Sequence, residues 1–320
     1  MSDGLVVDDV ALAVRRLLDG GLVAIPTETV YGLAAVADHE AAVNRIFEVK
    51  GRPAGHPLIV HIADMSAIEG WAAEVPPAAA ILADACWPGP LTLLLPRGRR
   101  VLDVVTGGRS AVAIRVPAHP MTTELLDQVG AVVAPSANVF GRVSPTTAEH
   151  VLADLGARLD PARDAILDGG PSPVGVESTI VDCTVDPAQV LRPGGIATED
   201  VHRLLAGAVG PAHGERRASG MLASHYAPAC RVELVEDAVG AEQRRVALSR
   251  SGERAAVLDL TGDLVQYARD LYAELRHADE CGLDALIAVL PPPGGLGHAI
   301  RDRLMKAAAA HDRPDPNPAG

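Results

Sequence analysis

The stretch LVAIPTETVYGL, Leu22 to Leu33, decides the fold. Its first four residues are apolar and short enough for a buried strand. Thr27 to Tyr31 then carry three hydroxyls and one carboxylate, with Gly32 closing the turn. Upstream, Val10, Val14, Leu17 and Leu18 share one face of a helix over Val10–Asp19, which Gly20-Gly21 stops. A helix, a buried strand and a polar loop at the strand's C-terminal end are the grammar of an α/β protein.

The same grammar continues outward. Asp38 is expected to cap a helix ending near Lys50, with Val43, Ile46 and Phe47 on one face. PLIVHI (57–62) reads as a strand, helices follow near 66–74 and 77–86, and TLLL (92–95), VAIRV (112–116) and AVVA (131–134) are strands. Thr146 and Glu149 make a capping box for a helix running to Leu155. AILD (165–168), STIVDC (178–183) and QVLR (189–192) complete a mixed α/β domain over residues 1–206. The pattern then gives way to a Gly-, Pro-, Ala- and Arg-rich linker, 207–229, in which HYAP (225–228) stands out. A second α/β unit spans 230–310: RVELVE, RVALS, AAVLDL and ALIAVL read as strands, with helices over 262–277 and from Leu296 to Ala310. Strands alternating with helices predict a small parallel sheet. The tail, 311–320, is expected to be disordered.

With 320 residues, 48% of them hydrophobic, the chain can bury two ordinary cores. No window reaches the ~20 apolar residues of a membrane span, and the N-terminus lacks the basic start and apolar run of a signal peptide, so a cytoplasmic location is expected. Cys86, Cys183, Cys230 and Cys281 are far apart and read as buried thiols rather than a metal or redox set. The net charge of −13 argues against an extended basic surface for a polyanion, so any anion site must be local. Aromatics at 2% are too scarce for stacking platforms.

Polar residues recur just after strand ends: Thr27 to Tyr31, then Ser136 and Asn138, then Arg192. In open α/β sheets that edge is where ligands bind, although each of these residues alone also suits an ordinary turn. Lys50 and Arg52 sit at a helix end, where the dipole favours cations, and RPAGHP leaves them on an irregular loop suited to phosphate oxygens. Arg115 lies inside an apolar strand and needs an anionic partner, either an Asp/Glu side chain or a ligand. His61 points to the opposite face of its strand from Leu58, Val60 and Ile62. The common phosphate-loop, dinucleotide, metalloprotease and nucleophile-elbow motifs are absent from the sequence.

PTETVYGL, KGRP, HPLIVHI, WPGPLTLLL, IRVP, PSAN, GRVSPT, ESTIVD, LRPGG and HYAP occur in this order. Together they resemble the threonylcarbamoyl-AMP synthase family, the YrdC type, in its longer two-domain form. GLGHAIRDRLMKAA is similar to that form's closing helix. The resemblance implies a YrdC-like twisted mixed-sheet catalytic domain with a small Rossmann-like C-terminal domain. It implies condensation of L-threonine, bicarbonate and ATP into threonylcarbamoyl-AMP with release of pyrophosphate. Mg2+ would accompany ATP, held mainly by its phosphates. Partner proteins would use the intermediate to make threonylcarbamoyladenosine beside the anticodon of tRNAs reading codons that begin with A. The resemblance gives tRNA itself at most a weak contact and the membrane none.

Carried over by motif, Lys50, Arg52, Ser136 and Asn138 form the reaction-centre signature. Arg52, His56, Ala111 (through its backbone), Ser136, Ser144, Arg192 and Tyr226 match nucleotide positions. Thr29, His61, Arg115, Ala134 (main chain) and Ser178 match positions around threonine, and Arg115 is expected to face its carboxylate. Tyr226 either pins the linker by packing or closes over the nucleotide, or does both. His56 stands where the family usually has Asn, Ala111 where Thr is common, and Ser219 where Pro is expected. Either Lys50 with a lowered pKa or the substrate's phosphates would act as base. Two rival readings are a carbamoyl-adenylate-forming maturation enzyme, whose cysteine pairs and acylphosphatase module this sequence lacks, and an RNA-binding or ribosome-maturation factor, which the acidic balance disfavours.

Overall fold

The computed structural model describes residues 4–210 and 226–310. The chain divides into two compact units, Met1–Phe140 with Ser144–Met221, and Gly141–Val143 with Leu222–Gly320.

The first unit runs β1 (Val6–Val7), α1 (Val10–Leu18), β2 (Val23–Ile25), β3 (Gly32–Val36), α2 (Glu40–Lys50), β4 (Ile59–His61), α3 (Pro77–Cys86), β5 (Leu91–Pro96), α4 (Asp103–Thr106) and β6 (Ala111–Arg115). It continues with α5 (Pro120–Val129), β7 (Val132–Val133), α6 (Ala148–Leu155), β8 (Ala165–Leu167), β9 (Thr179–Asp182), β10 (Ala188–Arg192), α7 (Thr198–Leu204) and β11 (Val209–Gly210). The strands form one mixed sheet in the order β1-β8-β2-β3-β7-β4-β6-β5-β9-β10-β11. Its alternating residues feed two layers. Leu22, Ala24, Val60, Ile62, Val112 and Ile114 pack with residues of α2, α3 and α6, while Val23, Ile25, Val132 and Leu167 pack with α1 and α5.

The alternation places a third set on β4, β6 and β5. Ile59, Ala113 and Leu94 are register neighbours and form a small apolar cluster, and the next row along the same three strands is His61, Arg115 and Thr92. That row is the floor on which the polar groups assemble.

Strand polarity corrects the expectation of a single ligand-binding edge. β7 runs antiparallel to β4, and β2 runs parallel to β7 through β3, so the C-terminal ends of β2 and β7 leave the sheet opposite those of β4 and β6. The loop over residues 26–31 bridges this separation by carrying Glu28 and Thr29 back to Arg115.

Local chemistry shifts several boundaries. Asp38 pairs with Arg100 at 3.0 Å, and His39 caps α2, its Nδ1 accepting from the Ala42 amide. Thr147, not Thr146, caps α6 by accepting from the His150 amide. The helix expected over 66–74 is a single 3-10 turn, Met65–Ile68, because Asp64 caps only the first amides and Gly70 follows at φ 81°.

In the second unit β12 (Arg231–Val235), β13 (Ala255–Leu258) and β14 (Ala285–Val289) form a parallel sheet in the order β12-β14-β13. It is joined by α8 (Ala238–Arg250), α9 (Leu264–Glu280) and α10 (Leu296–Ala308). RVALS, expected as a strand, lies within α8, where Ala241 and Leu248, seven residues apart, are the buried positions. Tyr267, Ala268, Leu271, Tyr272, Leu275 and Ala278 make the buried stripe of α9. The four thiols are free; Cys183 and Cys230 are buried as expected, but Cys86 is half-buried and Cys281 exposed. Among the described residues no helix is long and apolar enough to cross a membrane. His225, Ser219 and the tail 311–320 lie outside the described residues.

Candidate active site

The polar loop after β2 sorts its hydroxyls by task. Thr27 ties its own turn, donating to the Val30 carbonyl and accepting from the Thr29 and Val30 amides. Tyr31 donates to the Gly170 carbonyl at 2.8 Å and accepts from the Gly169 amide, so it pins a second loop; burial raises its pKa. Thr29 is left for the site. Its Oγ1 accepts from Arg115 Nη1 at 2.8 Å, and Glu28 Oε1 lies 2.7 Å from Arg115 Nη2. Both partners of that ion pair are more than nine-tenths buried, so the guanidinium charge is neutralised inside the protein. The other Glu28 oxygen accepts from the Ala118 amide, and Arg115 Nε donates to the Gly89 carbonyl.

His61 sits beside Arg115 in register. Burial and the Arg115 charge push its pKa down to about 3, so the ring is neutral. Its Nδ1 faces the Ile59 carbonyl at 3.2 Å, which only accepts, so Nδ1 holds the proton and Nε2 remains an acceptor. On the other flank Thr92 meets Ser178, Oγ1 to Oγ 2.7 Å. Arg192 donates to the Ser178 carbonyl from Nε at 3.1 Å and Nη2 at 2.7 Å. Ser144 donates to Glu177 Oε1 at 2.7 Å. Thr29–Arg115–Glu28, Thr92–Ser178–Arg192 and Ser144–Glu177 are three hydrogen-bonded groups; His61, Arg115 and Thr92 sit side by side in register, and the peptide between Glu177 and Ser178 joins the last two groups.

Lys50 heads a second cluster. Its ammonium donates to the main-chain carbonyls of Ser136 and Asn138, and the Phe140 amide donates back to the Lys50 carbonyl. Burial, followed by the Arg52 charge, lowers the Lys50 pKa well below its ordinary value. Arg52, buried and pushed down to about 10, donates to the Pro57 carbonyl and lies 5.6 Å from the Phe140 ring centroid. His56 meets the edge of the same ring at 5.4 Å. The clusters touch through the main chain: Gly32 bridges to Ser136, and the Ala137 amide donates to the Tyr31 carbonyl.

Three predicted positions behave differently. Ala134 is buried and its amide is taken by the Ile59 carbonyl. Ala111 opens β6 opposite Pro96 and packs with the Ile59 cluster. Tyr226 belongs to the second unit, where it is buried at φ 63°, stacks on Tyr272 at 5.5 Å and lies under Arg303.

Glu28, Thr92 and Glu177 escaped the sequence reading as site residues. Glu28 stood in the opening stretch as its one carboxylate, and Thr92 shares the strand face that Arg115 register demands; either pairing needs tertiary register to see.

A mixed α/β domain with this sheet and these clusters defines a protein of the Sua5/YciO/YrdC class. Residues 15–194 match the family described as "Telomere recombination" (Sua5, YciO, YrdC), and residues 196–309 match "Threonylcarbamoyl-AMP synthase, C-terminal domain". The chain is 39% identical to the threonylcarbamoyl-AMP synthase of Pyrococcus abyssi, over 93% of this chain and 94% of that protein. It is 40% identical to that of Bacillus subtilis, over 93% and 92%. A crystal structure of P. abyssi Sua5 complexed with L-threonine superposes with a TM-score of 0.88 at 39% identity, covering 94% of each chain. The chain belongs to the threonylcarbamoyl-AMP synthase family.

Proposed function

We propose that the protein condenses L-threonine, bicarbonate and ATP into threonylcarbamoyl-AMP and pyrophosphate. The observation that carries this reading is the buried, charge-neutral Thr29–Arg115–Glu28 cluster, joined by a short run of main chain to the cationic Lys50–Arg52 cluster. The first suits a small zwitterion bearing a hydroxyl, and the second suits phosphate oxygens. Threonine's carboxylate is held by the N–H groups of Arg115, and its hydroxyl meets Thr29, Ser178 and the acceptor Nε2 of His61. The amine adds to the carbon of bicarbonate with loss of water. A carbamate oxygen then attacks the α-phosphorus, and the bond to pyrophosphate breaks. Lys50, Arg52 and the Ser136–Asn138 segment position the reacting groups and offset the negative charge that gathers there. Ser144 and Arg192 belong to the nucleotide side, and His56 and the main chain of Ala111 border it.

Mg2+ would neutralise charge on the phosphates. The ion is, in this reading, held mainly by ATP's own phosphate oxygens. In this reading residues 1–206 are the catalytic domain, the work is cytoplasmic, and partner proteins carry the product to tRNA.

Pyrophosphate release by purified protein tests the proposal. Release that needs both L-threonine and bicarbonate, and that falls sharply with L-serine, is expected. Release indifferent to either co-substrate, or none from folded protein with magnesium and ATP, overturns it in favour of an RNA-binding role.

A further inference from the structure

Two loops meet at His56. Arg109, half-buried after α4, donates from Nη1 to the Gly55 carbonyl at 2.8 Å and to the Thr106 carbonyl at 3.0 Å. Gly107, at φ 62°, lets the loops close: a Cβ there would lie 2.3 Å from the Gly55 oxygen and 2.7 Å from Arg109 Nη1. Nη1 alone does this stapling. The Nε and Nη2 of Arg109 make no hydrogen bond or ion pair among the described residues. That leaves one full edge of a guanidinium fork unused, in the geometry that matches two oxygens of a phosphate.

Among the described residues no carboxylate pairs with Arg109. His56 feels burial and the charges of both Arg52 and Arg109, the charged groups that face it, and all three disfavour the imidazolium. Phe140 closes the wall, edge to the His56 ring and under Arg52. Two cations around a neutral donor, with no ion pair to Arg109 among the described residues, make a local field that a polyanion would relieve.

We infer that Arg109 is a further anion-binding residue of the nucleotide subsite, presenting its Nε–Nη2 edge to the terminal phosphates of ATP, and to pyrophosphate, beside Arg52 and His56. The inference rests on the ATP reading of the site. It adds a residue that neither the sequence motifs nor the strand ends single out, because Arg109 lies on a turn between a four-residue helix and β6.

Arg109→Gln and Arg109→Lys separate this role from simple stapling. Lysine can still reach a carbonyl but has no fork. Pyrophosphate binding, measured by calorimetry with magnesium present, should weaken tenfold or more in both variants, and the KM for ATP should rise while that for threonine stays within twofold. The melting temperature of Arg109→Lys should stay close to that of the parent. Orthophosphate, which spans one phosphate only, should be affected less. A pyrophosphate affinity within twofold of the parent in either folded variant, affinity that simply tracks melting temperature, or no pyrophosphate binding by the parent overturns the inference. A parent protein that binds pyrophosphate through Arg109 yet forms no threonylcarbamoyl-AMP leaves the inference standing and removes the proposed reaction instead.

Discussion

Glu28 and Arg115 form a buried ion pair, Oε1 to Nη2 2.7 Å, that joins the loop after β2 to the end of β6. Removing one partner of such a pair leaves an uncompensated charge, at a cost of about 3–5 kcal/mol. Glu28→Gln keeps an acceptor for the Ala118 amide but loses the charge. Its melting temperature should fall, and its KM for threonine should rise about tenfold as the Arg115 fork loses its fixed orientation. ATP affinity should be unchanged; a threonine KM equal to the parent's would show that Arg115 is set by Thr29 and Gly89 alone.

His61 makes acid stability informative. Its folded pKa of about 3 lies below the ordinary value of 6.5, so between these limits the unfolded chain binds more protons than the folded one. Stability contributed by keeping the ring neutral is present above pH 6.5 and is lost as pH falls towards 3, by at most about 1.4 kcal/mol per pH unit. Urea unfolding from pH 4.5 to 7.5 should therefore show a shallower pH dependence in His61→Gln than in the parent.

Lys50 and Arg52 are buried, Lys50 donating to two main-chain carbonyls and Arg52 to a third beside the Phe140 ring. Lys50→Ala and Arg52→Ala should each lower kcat about 100-fold or more, the range seen when a preorganised electrostatic group is removed, with far-ultraviolet circular dichroism unchanged. Near-normal turnover in both would remove them from the reaction centre.

Gly194 has no room for a side chain. A Cβ would stand 2.3 Å from the Glu177 carbonyl oxygen and 2.4 Å from Thr179 N, both of them main chain. Gly194→Ala should cost about 1–3 kcal/mol in chemical unfolding. It should also weaken threonine binding, because Ser178 lies between those two residues.

Periodicity and punctuation make much of this protein legible in its sequence. The α1–β2 unit, the His61 alternation and the isolation of Arg115 in an apolar strand all follow from one residue's relation to its near neighbours. RVALS suits a strand period through Val246 and Leu248, but only Leu248, together with Ala241 seven residues earlier, packs against β14, and that spacing is helical. The site was readable as a set of residues, but its wiring was not. Glu28 as the partner of Arg115, and Thr92 as that of Ser178, depend on pairings between segments some 86 residues apart in the chain. Strand polarity was equally hidden, and it is what moves the site from one edge of the sheet onto its face.

The sheet also dictates a timetable. β1 and β2 both take their places against β8, with Val6 opposite Ile166 and Val23 opposite Ala165. On a ribosome adding roughly 5–20 residues per second, the first strands emerge on the order of 10–30 s before the one that receives them. For that interval the nascent chain offers apolar, unpaired strand edges to its neighbours. Ser178 and Arg192 are made later still, so the amino-acid pocket cannot close on a partly synthesised chain. Translation through residue 192 completes the strands that bear the pocket and the Arg192 that holds the Ser178 carbonyl, long after Val6, whose partner is Ile166, has emerged.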